Sequence, residues 1–296
     1  MKLTECLEQE YQRRMQAVKG VRELFDIAVQ RALVEHAKRE SVPYYESEKL
    51  PSPSLPEVAS METLFEEIES EDVLPESLDD AVLGSQAASH YSRVGHMADY
   101  AQEDLQELAR LEKNALFKLE LFFKLGPEDL TTSFVRGLLG SMQELSAQRQ
   151  FDKLLQSYFV RLSTLVDNLY DVVANFHGIP LVGHDHRRHQ IHDTLLKTNI
   201  PLRNHLRSHF YFSDTSRKIN ALRNQFVHAE PDFDIFYDRD RTPLEPPRFL
   251  ITIEALKHPF FDYVAGLYVD TLNRSGEAMS ILLAEPRPAA RRTSSI

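Results

Sequence analysis

The sequence has a single cysteine, Cys6, and no apolar run long enough to cross a membrane. One cysteine cannot form an internal disulfide or a cysteine-based zinc finger within one chain, which favours a reducing compartment. Three charged residues interrupt the longest apolar-rich segment, residues 115–125, so a span of about 18 uncharged residues is absent. The first 14 residues carry charges where a signal peptide needs an apolar run. We therefore expect a cytoplasmic protein without a membrane partner.

Glycine is also scarce, with ten residues in 296. The sequence contains no glycine-rich loop that could hold phosphates and no Gly-x-Ser-x-Gly nucleophile motif. It also lacks the Glu-x-x-His pairs that build metal sites inside helical bundles. These absences argue against a Rossmann or P-loop domain, and we expect neither a cofactor nor a metal ion.

Negative charge is abundant but confined to one segment. Residues 46–80 contain twelve acidic residues and one basic residue, Lys49, and this excess equals the net charge of the whole chain, −11. Residues 181–223 instead contain eight Arg or Lys, three Asp and six His. Screening confines electrostatic fields to about 10 Å, so a locally basic surface can bind a polyanion in an acidic protein. The cations expected to contact RNA are Arg187, Arg188, Arg203, Arg207, Arg217 and Lys218.

Apolar residues recur at steps of three and four along most of the chain, which predicts an all-α fold. The strongest helical patterns cover residues 3–39, 100–125, 128–145, 151–176, 185–198, 201–212 and 259–283. The segment 231–247 is typical of a loop. The run 248–254 is the one convincing β-type segment, so we expect at most a small isolated β element.

These patterns divide the chain into five segments. They are an N-terminal long helix (1–40), an acidic proline-containing linker (41–84), a helical segment (85–146), a helical bundle (147–285) and a disordered tail (286–296). A short acidic amphipathic helix near residues 61–68 is a candidate docking element for a protein partner.

The most informative predicted helix covers residues 213–228. Ser213 is a suitable N-cap, and Pro231 prevents continuation. On a 100° wheel, Ile219, Leu222 and Phe226 share one face, and Arg223 lies at its margin. The opposite face is predicted to carry Arg217, Asn220, Asn224 and His228.

The stretch from Arg223 through Asn224 to His228 resembles the Arg-x(4–6)-His motif of the HEPN superfamily, in which a polar residue often follows the arginine. The resemblance covers roughly residues 147–285. It implies a bundle of four or five helices, a homodimer that brings two motifs into one cleft, and a metal-independent endoribonuclease, with a toxin or defence role. Some HEPN toxins are controlled through a tyrosine two residues after the histidine. Glu230 occupies that position here, which puts this mode of control in doubt.

Such a site has a simple chemistry. In RNA cleavage, the 2′-hydroxyl attacks the adjacent phosphate. His228 is expected to transfer a proton as acid or base, Arg223 to neutralise the developing charge on phosphorus oxygens, and Asn224 to orient either group.

Other interpretations of the same residues remain open. Four Arg/His pairs match the motif: Arg31/His36, Arg187/His192, Arg203/His209 and Arg223/His228. A cation near a helix C-terminus is also stabilising without any chemistry. The principal alternative is a non-catalytic helical protein-interaction module. A third is a metal-binding bundle that uses His184, His186, His189 and His192.

Overall fold

A computed structural model describes residues 3–41, 86–123, 145–179, 187–211, 214–228 and, with short gaps, 234–284. Within these ranges the chain forms seven α-helices and one three-stranded sheet. None of these helices is long and apolar enough to cross a membrane. The predicted mostly helical fold with a small β element is confirmed. The predicted linker and tail lie outside the described residues.

Three long helices form the centre of the structure: α1 (Leu3–Ser41), α2 (Gln86–Phe123) and α3 (Leu145–Phe176). The predicted apolar stripe of α3 is confirmed, since every member from Phe151 to Val173 is buried and Phe176 packs against the core. The predicted start of α2 near residue 100 was wrong. Tyr91, Val94 and Ala98 are buried and continue its stripe by more than three turns, although Gly95 and two histidines interrupt the pattern. The predicted helix at 128–145 falls almost entirely outside the described residues.

Four further helices follow: α4 (Arg187–Thr198), α5 (Ile200–Leu206), α6 (Asp214–His228) and α7 (Phe260–Leu283). Asn199 separates α4 from α5 and caps α5, because its Oδ1 accepts a hydrogen bond from the Leu202 amide at 2.7 Å. The last turn of α5 continues as a π-helical segment, Arg207–Tyr211. A π-helical turn is rare and leaves no periodic signature in so short a stretch, so the sequence could not predict it.

The sheet consists of three antiparallel strands in the order β1 (Asp234–Tyr237), β2 (Phe249–Ile253) and β3 (Leu256–Pro259). Ile235 lies opposite Ile251 in the β1–β2 pair. The predicted loop over 231–247 was therefore wrong at β1, and the β-type run after Arg248 is not isolated. Strands of four residues are too short to show an alternating pattern, and their partners supply the missing hydrogen bonds.

The N-terminal helix packs on the rest of the structure. Side chains of α1 share one buried core with those of α2, α3 and α7, and α1 contacts both α2 and α7. Phe25 of α1 is 3% exposed. The hydroxyl of Tyr268 on α7 donates to the Ala98 carbonyl of α2 at 3.2 Å, and that of Tyr158 on α3 donates to the Val264 carbonyl at 2.5 Å. Residues from both ends of the chain are thus held in the same packed body.

Ion pairs add specificity to the contact between α1 and α2. Buried Arg22 donates to Asp99 at 2.6 Å and to the Gly95 carbonyl at 3.3 Å, and it also pairs with Asp26 on its own helix. Lys113 of α2 reaches Glu8 of α1 at 2.7 Å. These contacts fix the register of the two helices.

Candidate functional site

Helix α6 packs its apolar face on α3. Ile219 and Leu222 are buried, as the wheel predicted. Asn220 does not lie on the far face, because its Oδ1 accepts a hydrogen bond at 3.2 Å from the hydroxyl of Ser163 on α3. Its position, about 100° from that of Ile219, is at the edge of the packed face. The polar face of α6 is therefore narrower than predicted.

Arg223 lies next to this packed face, whereas Asn224 lies on the opposite side of α6. Arg223 is half-buried and Asn224 is exposed. Neither side chain makes a hydrogen bond or ion pair with another residue in the ranges given above. Position 228 is the last of α6, and its side chain lies outside the described part of the structure. Positions 224 and 228 have an i, i+4 spacing, which places them on one face of the helix, about 6 Å apart along its axis.

The first two predicted RNA-binding cations hold α4 against α3 instead. Arg187 pairs with buried Asp171, and Arg188 donates to Asp167 at 2.6 Å. The Arg188 guanidinium also lies 5.1 Å from the ring centroid of Tyr170, a cation–π distance. These partners lie 16 and 21 residues earlier in the chain, so no local sequence pattern predicts the pairing. Both arginines have a structural role that leaves them less available to phosphate.

His192 is a buried histidine between the two helices. Its Nε2 lies 3.1 Å from the hydroxyl of Tyr170, and its carbonyl accepts from Arg203 Nε at 3.1 Å. Burial, reinforced by Arg207 and Arg203, lowers the pKa of His192 to about 4. Burial raises the pKa of Tyr170, so that hydroxyl is the donor and the neutral imidazole the acceptor. At neutral pH His192 is thus an uncharged core residue.

The remaining predicted cations lie on α5, the π-helical segment and α6. Arg203, Arg207 and Lys218 are half-buried, while Arg217 is exposed. The Nε of Arg203 donates a hydrogen bond to the His192 carbonyl, and Arg207 is close enough to His192 to lower its pKa. The cations predicted to bind RNA are therefore partly buried, and several of them are engaged within the protein.

The predicted histidine metal site is only half within the described ranges, because His184 and His186 lie outside them. His189 Nε2 is 3.3 Å from the Tyr211 hydroxyl, and the rings of His192 and Tyr211 meet edge to face at 5.5 Å. His189 and His192 thus contact tyrosines, and neither belongs to the group of potential metal ligands found in the described residues.

The two residues of the pair Arg31/His36 lie in different environments, the arginine at the surface and the histidine in the core. His36 is buried, and its ring meets Tyr91 and Phe176 edge to face at 5.8 and 5.1 Å. Arg31 is exposed on α1. A buried histidine without access to solvent is unsuited to proton transfer with a large substrate.

The sequence did not predict one buried carboxyl group, that of Glu112. Glu112 of α2 is 3% exposed, and Arg14 Nη1 of α1 donates to its Oε2 at 3.2 Å. Burial raises the pKa of Glu112 to about 7, against the opposing effect of Arg14. Both residues line a small pocket together with Tyr11, Pro247 and Phe261. The available signal was a carboxylate at a stripe position of α2, four residues after Leu108 and four before Leu116.

No family model, curated protein or solved structure matches this chain. The HEPN resemblance therefore rests on the motif and on the helix that carries it.

Proposed function

We propose that the protein is an endoribonuclease of HEPN type that cleaves RNA through attack of its 2′-hydroxyl, without a metal ion in the reaction. Arg223, His228 and Asn224 carry the chemistry. One observation supports this choice best. Arg223 lies beside the packed face of α6 and has no polar partner among the described residues, on the same helix as a histidine five positions later.

The other three Arg/His matches are less suited to catalysis. His36 and His192 are buried. Arg187 is paired with Asp171, and Arg203 donates to the His192 carbonyl. An arginine that already has a buried partner loses that contact when it binds a phosphate, whereas Arg223 loses none with a described residue.

The proposed roles follow from the chemistry of each group. A guanidinium offers a planar set of donors that matches phosphate oxygens and stabilises the extra charge of the pentavalent state. An imidazole of ordinary pKa can take the 2′-proton or give one to the leaving 5′-oxygen near neutral pH. The amide of Asn224, one turn before position 228, can orient the histidine or the phosphate.

The proposal includes a homodimer, since HEPN enzymes place two motifs in one cleft, and a toxin or defence role in the cytoplasm. Both parts rest on the resemblance. A second copy would double the number of cations around the substrate and enclose the scissile phosphate.

A set of variants tests the assignment. Full-length wild type, Arg223→Ala, His228→Ala and Asn224→Ala are incubated with RNA in the presence of a chelator. We expect wild type to cleave, losses of roughly 100-fold or more for Arg223→Ala and His228→Ala, and a smaller loss for Asn224→Ala.

Matched controls come from α2, far along the chain from the motif. Arg110→Ala removes an exposed arginine that pairs with Glu107, and His96→Ala removes an exposed histidine. Both should cleave at the wild-type rate. Equal rates in all variants, or no cleavage by wild type on any RNA, would exclude the proposed site.

A second candidate, the non-catalytic interaction module, is favoured by one observation. Leu196 and Ile200 lie four residues apart at the junction of α4 and α5, and they are 48% and 54% exposed. Exposed apolar side chains that form one patch are typical of a protein contact. If Leu196→Ser/Ile200→Ser abolishes self-association while wild type cleaves no RNA, this second function replaces the first.

A further inference from the structure

A pair of histidines meets at the point where α5 becomes π-helical. His205 belongs to the last turn of α5 and His209 to the π-helical segment, and their ring centroids are 4.5 Å apart. A four-residue spacing places two side chains on one helix face. Helix α7 packs against α5 at this level and brings Glu277 to the same place.

The ring of His205 is held by a backbone acceptor on α7. Its Nε2 donates to the Arg274 carbonyl of α7 at 2.9 Å, and a carbonyl can only accept. The hydrogen of the neutral ring is therefore on Nε2. Nδ1 then carries no hydrogen, and its lone pair can bind a metal ion. Nδ1 lies 3.9 Å from Glu277 Oε2. Metal-binding histidines commonly have such a backbone acceptor on the second ring nitrogen.

The carboxylate of Glu277 is held in place by hydrogen bonds from Arg274. Arg274 Nη1 donates to both carboxylate oxygens, at 3.2 and 3.0 Å, and Arg274 Nε lies 3.4 Å from Asp270. A carboxylate that binds a metal through one oxygen can keep an arginine on the other. Asp270 and Glu277 together outweigh the single charge of Arg274, so the local charge favours a cation.

We propose that His205, His209 and Glu277 form a binding site for a divalent transition-metal ion, with zinc as the best match. One ligand atom from each of the three residues lies within 4.8 Å of the other two. Ligand atoms around a tetrahedral zinc ion are about 3.3 Å apart, given metal–ligand bonds of about 2.0–2.1 Å. Small side-chain rotations would bring the ligand atoms from a separation of up to 4.8 Å to that distance. Two imidazoles and one carboxylate suit zinc better than magnesium or calcium, which prefer oxygen ligands.

Water would take the fourth position of a tetrahedral zinc ion at this site, and none of its three protein ligands is among the residues proposed to cleave RNA. Its ligands come from α5, the π-helical segment and α7, so a bound ion would tie the C-terminal helix to the π-helical turn. The proposal departs from the expectation, drawn from the sequence, that the protein holds no metal ion, and it stands independently of the proposed function.

Zinc binding by the full-length chain, free of any affinity tag, tests the proposal. Metal-free protein is titrated with zinc chloride against a competing fluorescent chelator, and the stoichiometry and affinity are measured. We expect one zinc per chain, an affinity that falls at least roughly tenfold in His209→Ala and in Glu277→Gln, and a thermal stabilisation by zinc that both variants lose. These two changes leave the structural bond from His205 to Arg274 intact.

The controls are His96→Ala and Glu107→Gln on α2, which remove the same residue types outside the cluster and should bind zinc like wild type. A second pair, His184→Ala/His186→Ala, examines the histidine run. Failure of wild type to bind zinc would overturn the proposal. So would undiminished binding by both His209→Ala and Glu277→Gln, or loss of binding in the His184/His186 variant alone.

Discussion

At the scale of single residues, the structure holds two buried ionisable side chains that respond to pH in opposite ways. Glu112 is easier to protonate in the folded protein than in the unfolded chain, whereas His192 is harder to protonate. The contribution of His192 therefore lowers the free energy of unfolding as pH falls from about 6.5 to 4. The contribution of Glu112 lowers the free energy of unfolding as pH rises from about 4.5 to 7.

The replacement Glu112→Gln isolates the second effect. Between pH 4.5 and 7 the folded state keeps a proton that the unfolded chain has released, so the free energy of unfolding of wild type falls as pH rises. Glutamine has no charge to bury. We expect the variant to be more stable than wild type at pH 8 by on the order of 1–3 kcal/mol, and to differ less at pH 4.5.

Urea unfolding at both pH values measures this difference, with Glu107→Gln, on the exposed face of the same helix, as the control. A stability difference between wild type and Glu112→Gln that stays constant with pH would show that Glu112 ionises normally in the fold.

Residue-scale prediction from the sequence succeeded where the local pattern decided the outcome. The burial of Ile219 and Leu222 followed from helical spacing alone. The partners of Arg187 and Arg188 did not, because Asp171 and Asp167 belong to a different helix, and only the packing of α4 on α3 brings them together. Part of the predicted RNA-binding charge is engaged for this reason.

At the scale of elements, the sequence predicted the long helices α1 and α3 well, placed the start of α2 too late, and predicted the short strands poorly. The stripe of α1 extends over many turns, which makes the pattern unambiguous. The strands β1 and β3 have four residues each, and they exist because β2 supplies partners on both sides. Length and tertiary pairing, rather than intrinsic propensity, explain the difference.

The packing of α1 can be tested at two neighbouring positions. Phe25 is 3% exposed and Leu24 is 54% exposed. Because Phe25 reaches the shared core, Phe25→Ala should lower the free energy of unfolding by about 3–5 kcal/mol, while Leu24→Ala should change it by less than about 0.5 kcal/mol. Chemical denaturation of the full chain measures both values. Similar small effects at the two positions would mean that α1 does not share the core.

At the scale of the whole molecule, charge is distributed unevenly along the chain. The acidic segment 46–80 carries a charge equal to the net −11, and the remainder is close to neutral, with an excess of cations in residues 181–223. An acidic segment tethered to a cation-rich region competes with a polyanionic ligand. We hypothesise that it acts as an electrostatic inhibitor of RNA binding.

Deletion of residues 46–80 tests this idea. The shortened chain should bind RNA more tightly at low salt, and the gain should shrink as salt rises, because screening weakens the competition. A control replaces the segment with a neutral Gly/Ser linker of equal length and should show the same gain. Unchanged affinity in both proteins at low salt would remove the hypothesis.

RNA cleavage by Arg223 and His228 through the proposed mechanism requires the 2′-hydroxyl of the substrate, and removing that hydroxyl is a decisive test. Wild type and His228→Ala are incubated in chelator with one RNA oligonucleotide and with its fully 2′-deoxy counterpart, and the ends of the products are analysed. The proposed mechanism predicts that wild type cuts only the RNA and leaves 2′,3′-cyclic phosphate ends, and that His228→Ala loses roughly 100-fold or more in rate. Cleavage of the deoxy strand, intact RNA with wild type, or an unchanged rate in His228→Ala would contradict it.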